Sequence, residues 1–203
     1  MKELRPGLHH WTALHPRIRE QVSSYFVEPS RTLIDPMLPP DGGLERFRGR
    51  EPERIVLTNR HHYRDSDAFT RELDCPVLCH RAGLHEFEGG PDVEGFSFGD
   101  ELAEGIVALE VGAICPEETA LLIDRAGGAL ALADALIRSG DRLGFVPDRL
   151  LGDDPEGVKG GLLDSLSLLL DHDFECLLLA HGQPVVGGGA EALRRFVEAE
   201  RSG

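Results

Sequence analysis

"IVLTNRHHYRDSDAF", residues 55–69, decides how the chain is read. Its opening, from Ile55 to Thr58, is a compact apolar run of the kind that forms a buried strand. The run breaks into a polar knot of Asn59, Arg60, His61, His62, Tyr63, Arg64 and Asp65. "DSDAFTREL" (65–73) then reads as a helix with Asp65 or Ser66 as its N-cap. Two imidazoles therefore stand at the C-terminal end of a strand, where α/β proteins gather binding groups.

Working outward, strand-like and helix-like segments alternate. "SSYFVE" (23–28) and "TLIDP" (32–36) form a hairpin through a Pro-Ser-Arg turn, and "PVLCH" (76–80) is a further strand. In the second half "IVALEV" (106–111), "TALLID" (119–124) and "ALALAD" (129–134) read as strands, the last two split by an Arg-Ala-Gly-Gly turn. "VKGGLLDSLSLLLDH" (158–172) has apolar residues at helical spacing, "ECLLLAHG" (175–182) is a buried strand, and "GAEALRRFVEAE" (189–200) is an amphipathic helix. The glycine-rich stretch 88–105 reads as a loop, and the glycines of "VVGGGAEAL" as a flexible turn. This order predicts sheets layered between helices in one domain, 1–203.

Composition narrows the function classes. At 203 residues and 41% apolar content the chain suits a soluble globular protein. No run reaches the length of a membrane span, and the first residues lack the apolar core of a secretory signal, so a cytoplasmic location is expected. With 21 basic and 36 acidic residues the formal charge is -15. That sign repels phosphate backbones and argues against nucleic-acid partners. Cys75, Cys79, Cys115 and Cys176 lack the paired spacing of a zinc site and read as buried, reduced thiols. A small-molecule ligand is the expected partner. A homo-oligomer is allowed but not demanded.

Several apolar runs end in an ionisable side chain: Asp35, His61 and His62, His80, Asp134 and His181. Three such groups meeting in space would make a metal site, whereas one alone would be a hydrogen-bonded polar residue. Asp134 follows five apolar residues, so its carboxylate needs a partner, either a cation or an N–H donor. Adjacent histidines point in different directions, so at most one of His61 and His62 faces a pocket. His9, His10 and His15 read as surface features, His85 and His172 as exposed, and Glu117–Glu118 as a solvated acidic turn. Rossmann, P-loop and nucleophile-elbow motifs are lacking.

The order of "TLIDP", "IVLTNRHHYRDS", "GAICPEETALLI", "GGALALADALI" and "CLLLAHGQPV" resembles the metallo-β-lactamase-fold superfamily over nearly the whole length. The resemblance implies an αββα sandwich with its site at one edge between two sheets. It also implies a damaged metal centre. With Thr58 on the family's threonine, Asn59 falls where the first histidine belongs. His61 falls on the second histidine, Tyr63 on the aspartate and Arg64 on the last histidine. Ile114 falls on the next histidine, while Asp134 and His181 match the bridging aspartate and the closing histidine. A shift of one or two residues brings His62 and Asp65 into play instead.

Arg64 cannot shed its proton, so it would repel a dication but could pair with Asp134. The expectation is a degenerate fold member without a dinuclear site and without a cofactor. Its polar pocket would contain Asn59, His61, His62, Arg64, Asp65, Asp134 and His181 and would take a small anionic ligand. The alternative is a mononuclear hydrolase of a small ester, thioester, lactone or phosphoester. One zinc, iron or manganese ion would then sit on His61, Asp134 and His181.

Overall fold

A computed structural model describes residues 1–124 and 127–203. The Arg125–Ala126 half of the turn read between the 119–124 and 129–134 strands lies outside the described residues. In chain order the strands are β1 (Lys2–Arg5), β2 (Leu8–Leu14), β3 (Gln21–Val27), β4 (Thr32–Ile34), β5 (Arg54–Val56), β6 (Val77–His80), β7 (Glu94–Phe96), β8 (Glu101–Ala103), β9 (Ile106–Glu110), β10 (Thr119–Ile123), β11 (Ala129–Leu132), β12 (Ile137–Ser139), β13 (Arg142–Gly144), β14 (Cys176–Leu179) and β15 (Val185–Val186). The helices are α1 (Ser66–Leu73), α2 (Pro155–Leu169) and α3 (Gly189–Ser202). Strands β1 to β7 form one sheet in sequence order; the other runs β15-β14-β11-β10-β9-β8, and β12–β13 is a separate hairpin.

Period-2 alternation explains the layers. Along β11, Ala129 and Ala131 face the space between the sheets, while Leu130 and Leu132 face α2 and α3. Along β14, Cys176 and Leu178 point inward and Leu177 and Leu179 outward. In the first sheet Tyr25, Val27 and Val56 point inward, whereas Phe26, Ile55 and Leu57 pack outward with Phe69 of α1. Strands buried on both faces read as continuous apolar runs. The result is an αββα sandwich. Helix α2 starts earlier than its apolar periodicity suggests, because Pro155 takes the first turn and the Asp154 carboxylate accepts the Gly157 N–H at 3.0 Å.

Two readings from sequence need correction, and two strands join the ones read. The segment 88–105 is not a plain loop, since it contributes β7 and β8. "MKELR" and "LHHWTAL" are the first two strands of a seven-stranded sheet. His9 and His10 are therefore buried rather than superficial. His9 donates to Glu28 at 2.6 Å and stacks on Phe26.

His10 belongs to a seam joining the two sheets. Its Nε2 lies 3.0 Å from Ser23 Oγ, and the Ser23 hydroxyl donates to the Gly182 carbonyl at 2.8 Å. The His10 ring stacks on Tyr25 at 5.0 Å. The Tyr25 hydroxyl donates to the Leu179 carbonyl at 2.8 Å and accepts the Leu179 N–H at 2.9 Å. Burial pushes His10 down to about 4, helped by the charges of Lys2 and the amino terminus. The neutral ring is the folded form, so its contribution is complete above pH 6.5 and is lost as pH falls towards about 4. Between pH 7 and 4.5 the wild type should lose roughly 2–3 kcal/mol more than His10→Gln in urea unfolding. Parallel pH dependences would refute this.

Candidate functional site

Parallel pairing gathers the polar residues at one edge. Leu132 of β11 registers with Leu179 of β14, so Asp134 and His181, each two residues beyond, emerge at the same rim. Ile34 of β4 registers with Val56 of β5, which places Asp35 beside Thr58. The Thr58 carbonyl accepts the Thr119 N–H at 2.9 Å and joins the two sheets there.

Asp35 is buried, and its carboxylate is fully engaged. It accepts the Thr58 N–H at 2.9 Å, the Thr58 hydroxyl, and His62 Nδ1–H at 2.9 Å. Burial alone would raise its carboxyl, but the His62 charge and hydrogen bond, with Arg64, hold it below the usual carboxylate range. With Nδ1 committed to Asp35, His62 presents Nε2 to the cavity, 3.5 Å from Asp134 Oδ1. Burial opposes the His62 charge, yet Asp35 and Asp134 together push this group up to about 9.

His181 Nε2 lies 3.2 Å from the same Asp134 oxygen. Its backbone is clamped by a β-bridge to Val22 and by the Arg138 N–H on its carbonyl at 3.0 Å. Gly182 follows at φ 96°, where a Cβ would also collide with the Arg138 carbonyl. Burial raises the Asp134 carboxyl, but His62 and His181 outweigh it and hold the group well below its ordinary value.

The ligand-capable atoms of His62, Asp134 and His181 lie within 4.8 Å of one another. His61, the residue that the Thr58 register favours, is exposed instead. The reason is local. Arg60–His62 is a single 3₁₀ turn capped by the Asn59 side chain, whose Oδ1 accepts the His61 N–H at 2.9 Å. That tight turn sends His61 outward along the cavity wall and His62 inward.

The other candidates have settled roles. Asn59 Nδ2 reaches Asp134 Oδ2 at 3.5 Å and Cys115 Sγ at 3.4 Å. Asp65 precedes α1 without capping it through its side chain; its carboxylate accepts the Leu38 N–H at 2.8 Å. Tyr63 donates to Asp67 at 2.7 Å, and Ile114 lines the cavity. The expected Arg64–Asp134 pair does not form. Arg64 Nη1 donates to the carbonyls of Ser23 at 2.6 Å and Asp35 at 2.7 Å, and Nη2 is buried without a partner among the described residues. Asp35 and Arg64 both adopt left-handed φ, at 47° and 49°. Such strain persists where the surroundings over-determine the conformation.

Glu117 and Glu118 are not a solvated turn; both are buried. Glu117 pairs with Arg60, and Glu118 Oε1 accepts the N–H groups of Asp134 at 2.9 Å and Ala135 at 2.6 Å. Burial, then the Asp134 charge, pushes Glu118 up to about 8. Nothing in "CPEET" signals this. His80 stacks on Phe98 at 3.9 Å away from the cluster, and His85 is exposed. His172 lies in the turn beyond α2, half-buried.

Two imidazoles and one carboxylate, with Asp35 orienting one imidazole from behind, fit one metal ion. Asn59 is engaged as a cap, and the side chains of Arg64 and Ile114 offer no ligand atom. Among the described residues no other group of three such donors converges.

No protein-family profile matches the chain, and no curated protein matches it. Solved structures do match. The DIM-1 metallo-β-lactamase superposes with TM-score 0.73 at 13% identity, over 98% of this chain and 96% of that one. A protein crystallised in a di-iron-bound form gives 0.70 at 24% identity, over 91% and 97%. An archaeal metallo-β-lactamase superfamily protein from Sulfolobus tokodaii gives 0.68 at 14%, over 95% and 85%. The chain has the metallo-β-lactamase fold.

Truncating His62 would leave Asp35 buried without its imidazole. His62→Ala should cost about 3–5 kcal/mol in denaturant unfolding, and His61→Ala less than about 0.5 kcal/mol. Equal costs would contradict the assignment of His62 as the inward ring.

Proposed function

We propose that this chain is a hydrolase of small molecules working with one divalent ion held by His62, Asp134 and His181. The convergence of those three side chains at the floor of a cavity of about 1050 Å³ carries the reading. Three protein ligands with an open position are the usual arrangement of a catalytic zinc site, and two histidines with one carboxylate also suit iron. One neighbour of the same fold is di-iron-bound. Among the described residues one group of three donors converges, and the reading therefore takes one ion.

When bound, the ion would supply Lewis acidity and a water acidic enough to ionise near neutrality. The chain's own groups do the rest. Asp35 fixes the His62 ring, Asn59 steadies the second Asp134 oxygen, and Glu118 holds the Asp134 backbone. Ile114, Ile137 and Val146 wall the site with apolar surface. Esters, thioesters, lactones and phosphoesters are the substrate types that such a water would hydrolyse.

A second reading is favoured by one observation. His62 is satisfied on both nitrogens, by Asp35 and Asp134, and Arg64 adds a fixed positive charge close by. Such a network is complete without a metal and would make the cleft a binding pocket for an anion. Elemental analysis separates the two. Protein from metal-supplemented cells, purified without chelator, should carry close to one zinc, iron or manganese per chain. His62→Ala, Asp134→Ala and His181→Ala should each lose it, and His61→Ala should retain it. Metal-free wild type would reject the hydrolase reading.

A further inference from the structure

The cavity mouth carries a pattern that the metal cluster does not use. Ile18, between β2 and β3, is 51% exposed, and Leu150, in the turn after β13, is 57% exposed. Both line the cavity, and each directly follows an arginine that lines it too, Arg17 and Arg149. Neither guanidinium has an ion-pair or hydrogen-bond acceptor among the described residues. The deeper cations are committed: Arg60 to Glu117, and Arg64 to the carbonyls of Ser23 and Asp35.

The acidic groups of the cavity are mostly engaged as well. Asp65 accepts from Leu38, Asp67 from Tyr63, and Glu86 lies 3.9 Å from Arg60. Glu20 is the carboxylate at the mouth without such a partner among the described residues. Two free cations against one free anion stand here in a chain of formal charge -15. Uncompensated positive charge beside exposed aliphatic side chains is complementary to a molecule with an anionic head and an apolar body.

We infer that the cavity takes an anionic amphiphile, an aliphatic chain bearing a carboxylate or phosphate. Its head is held at the mouth by Arg17 and Arg149, and its body lies against Ile18, Leu150 and the apolar walls. That this ligand is the substrate rests on the single-ion reading; that it binds does not. The carboxylate and phosphate share one chemistry here, and the assay tells them apart.

Calorimetric titration of the full chain with decanoate, decyl phosphate and decanol, each below its micellar concentration, tests the inference. At least one of the two anions should bind roughly tenfold or more tighter than decanol. The double variant Arg17→Gln/Arg149→Gln should erase that advantage without changing the decanol affinity. Ile18→Ser/Leu150→Ser should weaken all three ligands by about tenfold. The arginine dependence should persist in His181→Ala, so a failed metal assay leaves this result standing. Equal affinities for decanol and both anions, unchanged binding in the arginine variant, or no binding of any probe would overturn it. Retention on phosphatidylglycerol vesicles without uptake of monomeric decanoate would overturn it in favour of a membrane surface.

Discussion

A buried carboxylate is the constraint around which the site is organised. Asp35 sits away from water at the end of β4, and an isolated charge there would be prohibitively unfavourable. Its surroundings answer that charge one group at a time. The next strand supplies the Thr58 N–H and hydroxyl, and the following turn supplies His62. Arg64 does not touch the carboxylate; it grips the Asp35 carbonyl and the Ser23 carbonyl together, locking β3 to the end of β4. The left-handed backbone of both Asp35 and Arg64 is held in place by these bonds. A consequence reaches the cavity: because Nδ1 of His62 is spoken for, Nε2 is the atom that meets Asp134.

The sandwich was legible because its central strands are buried on both faces. "ALALA", "CLLLA" and "RIVL" alternate between two cores, so polar residues scarcely interrupt them. The strands that escaped notice are those where this logic fails. "MKELR" is an edge strand whose side chains mostly reach solvent, and in "LHHWTAL" two imidazoles occupy core positions. Histidine enters a core only with partners, here Glu28 and Ser23, and those partners are far along the chain. Likewise β7 and β8 are three residues each amid glycines, too short for a pattern.

Of the three side chains that converge, two were legible at strand ends. Asp134 and His181 end apolar strands and carry their own signal. The choice between His61 and His62 hung on the shape of the turn after Thr58. The resemblance, with Thr58 on the family's threonine, favours His61. Asn59 instead caps a 3₁₀ turn, and the sequence does offer a clue to that, since asparagine is a preferred capping residue. Glu118 could not be found this way. Its burial depends on the backbone amides of residues 134 and 135, which only the folded chain brings near.

The residues that the sequence resemblance sets on ligand positions have contacts of their own in the fold. Asn59 caps the turn that aims His62 and also touches Asp134. Arg64 braces two strands. Tyr63 ties the turn to α1 through Asp67, and Ile114 gives the cavity an apolar wall. Each of these side chains has a structural task in the fold. An imidazole at position 59 would forfeit the amide that receives the His61 N–H and releases the ring of His62 inward. One at 64 would be too short to span the Ser23 and Asp35 carbonyls. The cluster of His62, Asp134 and His181 is thus held in shape by neighbours that are not themselves among its three donors.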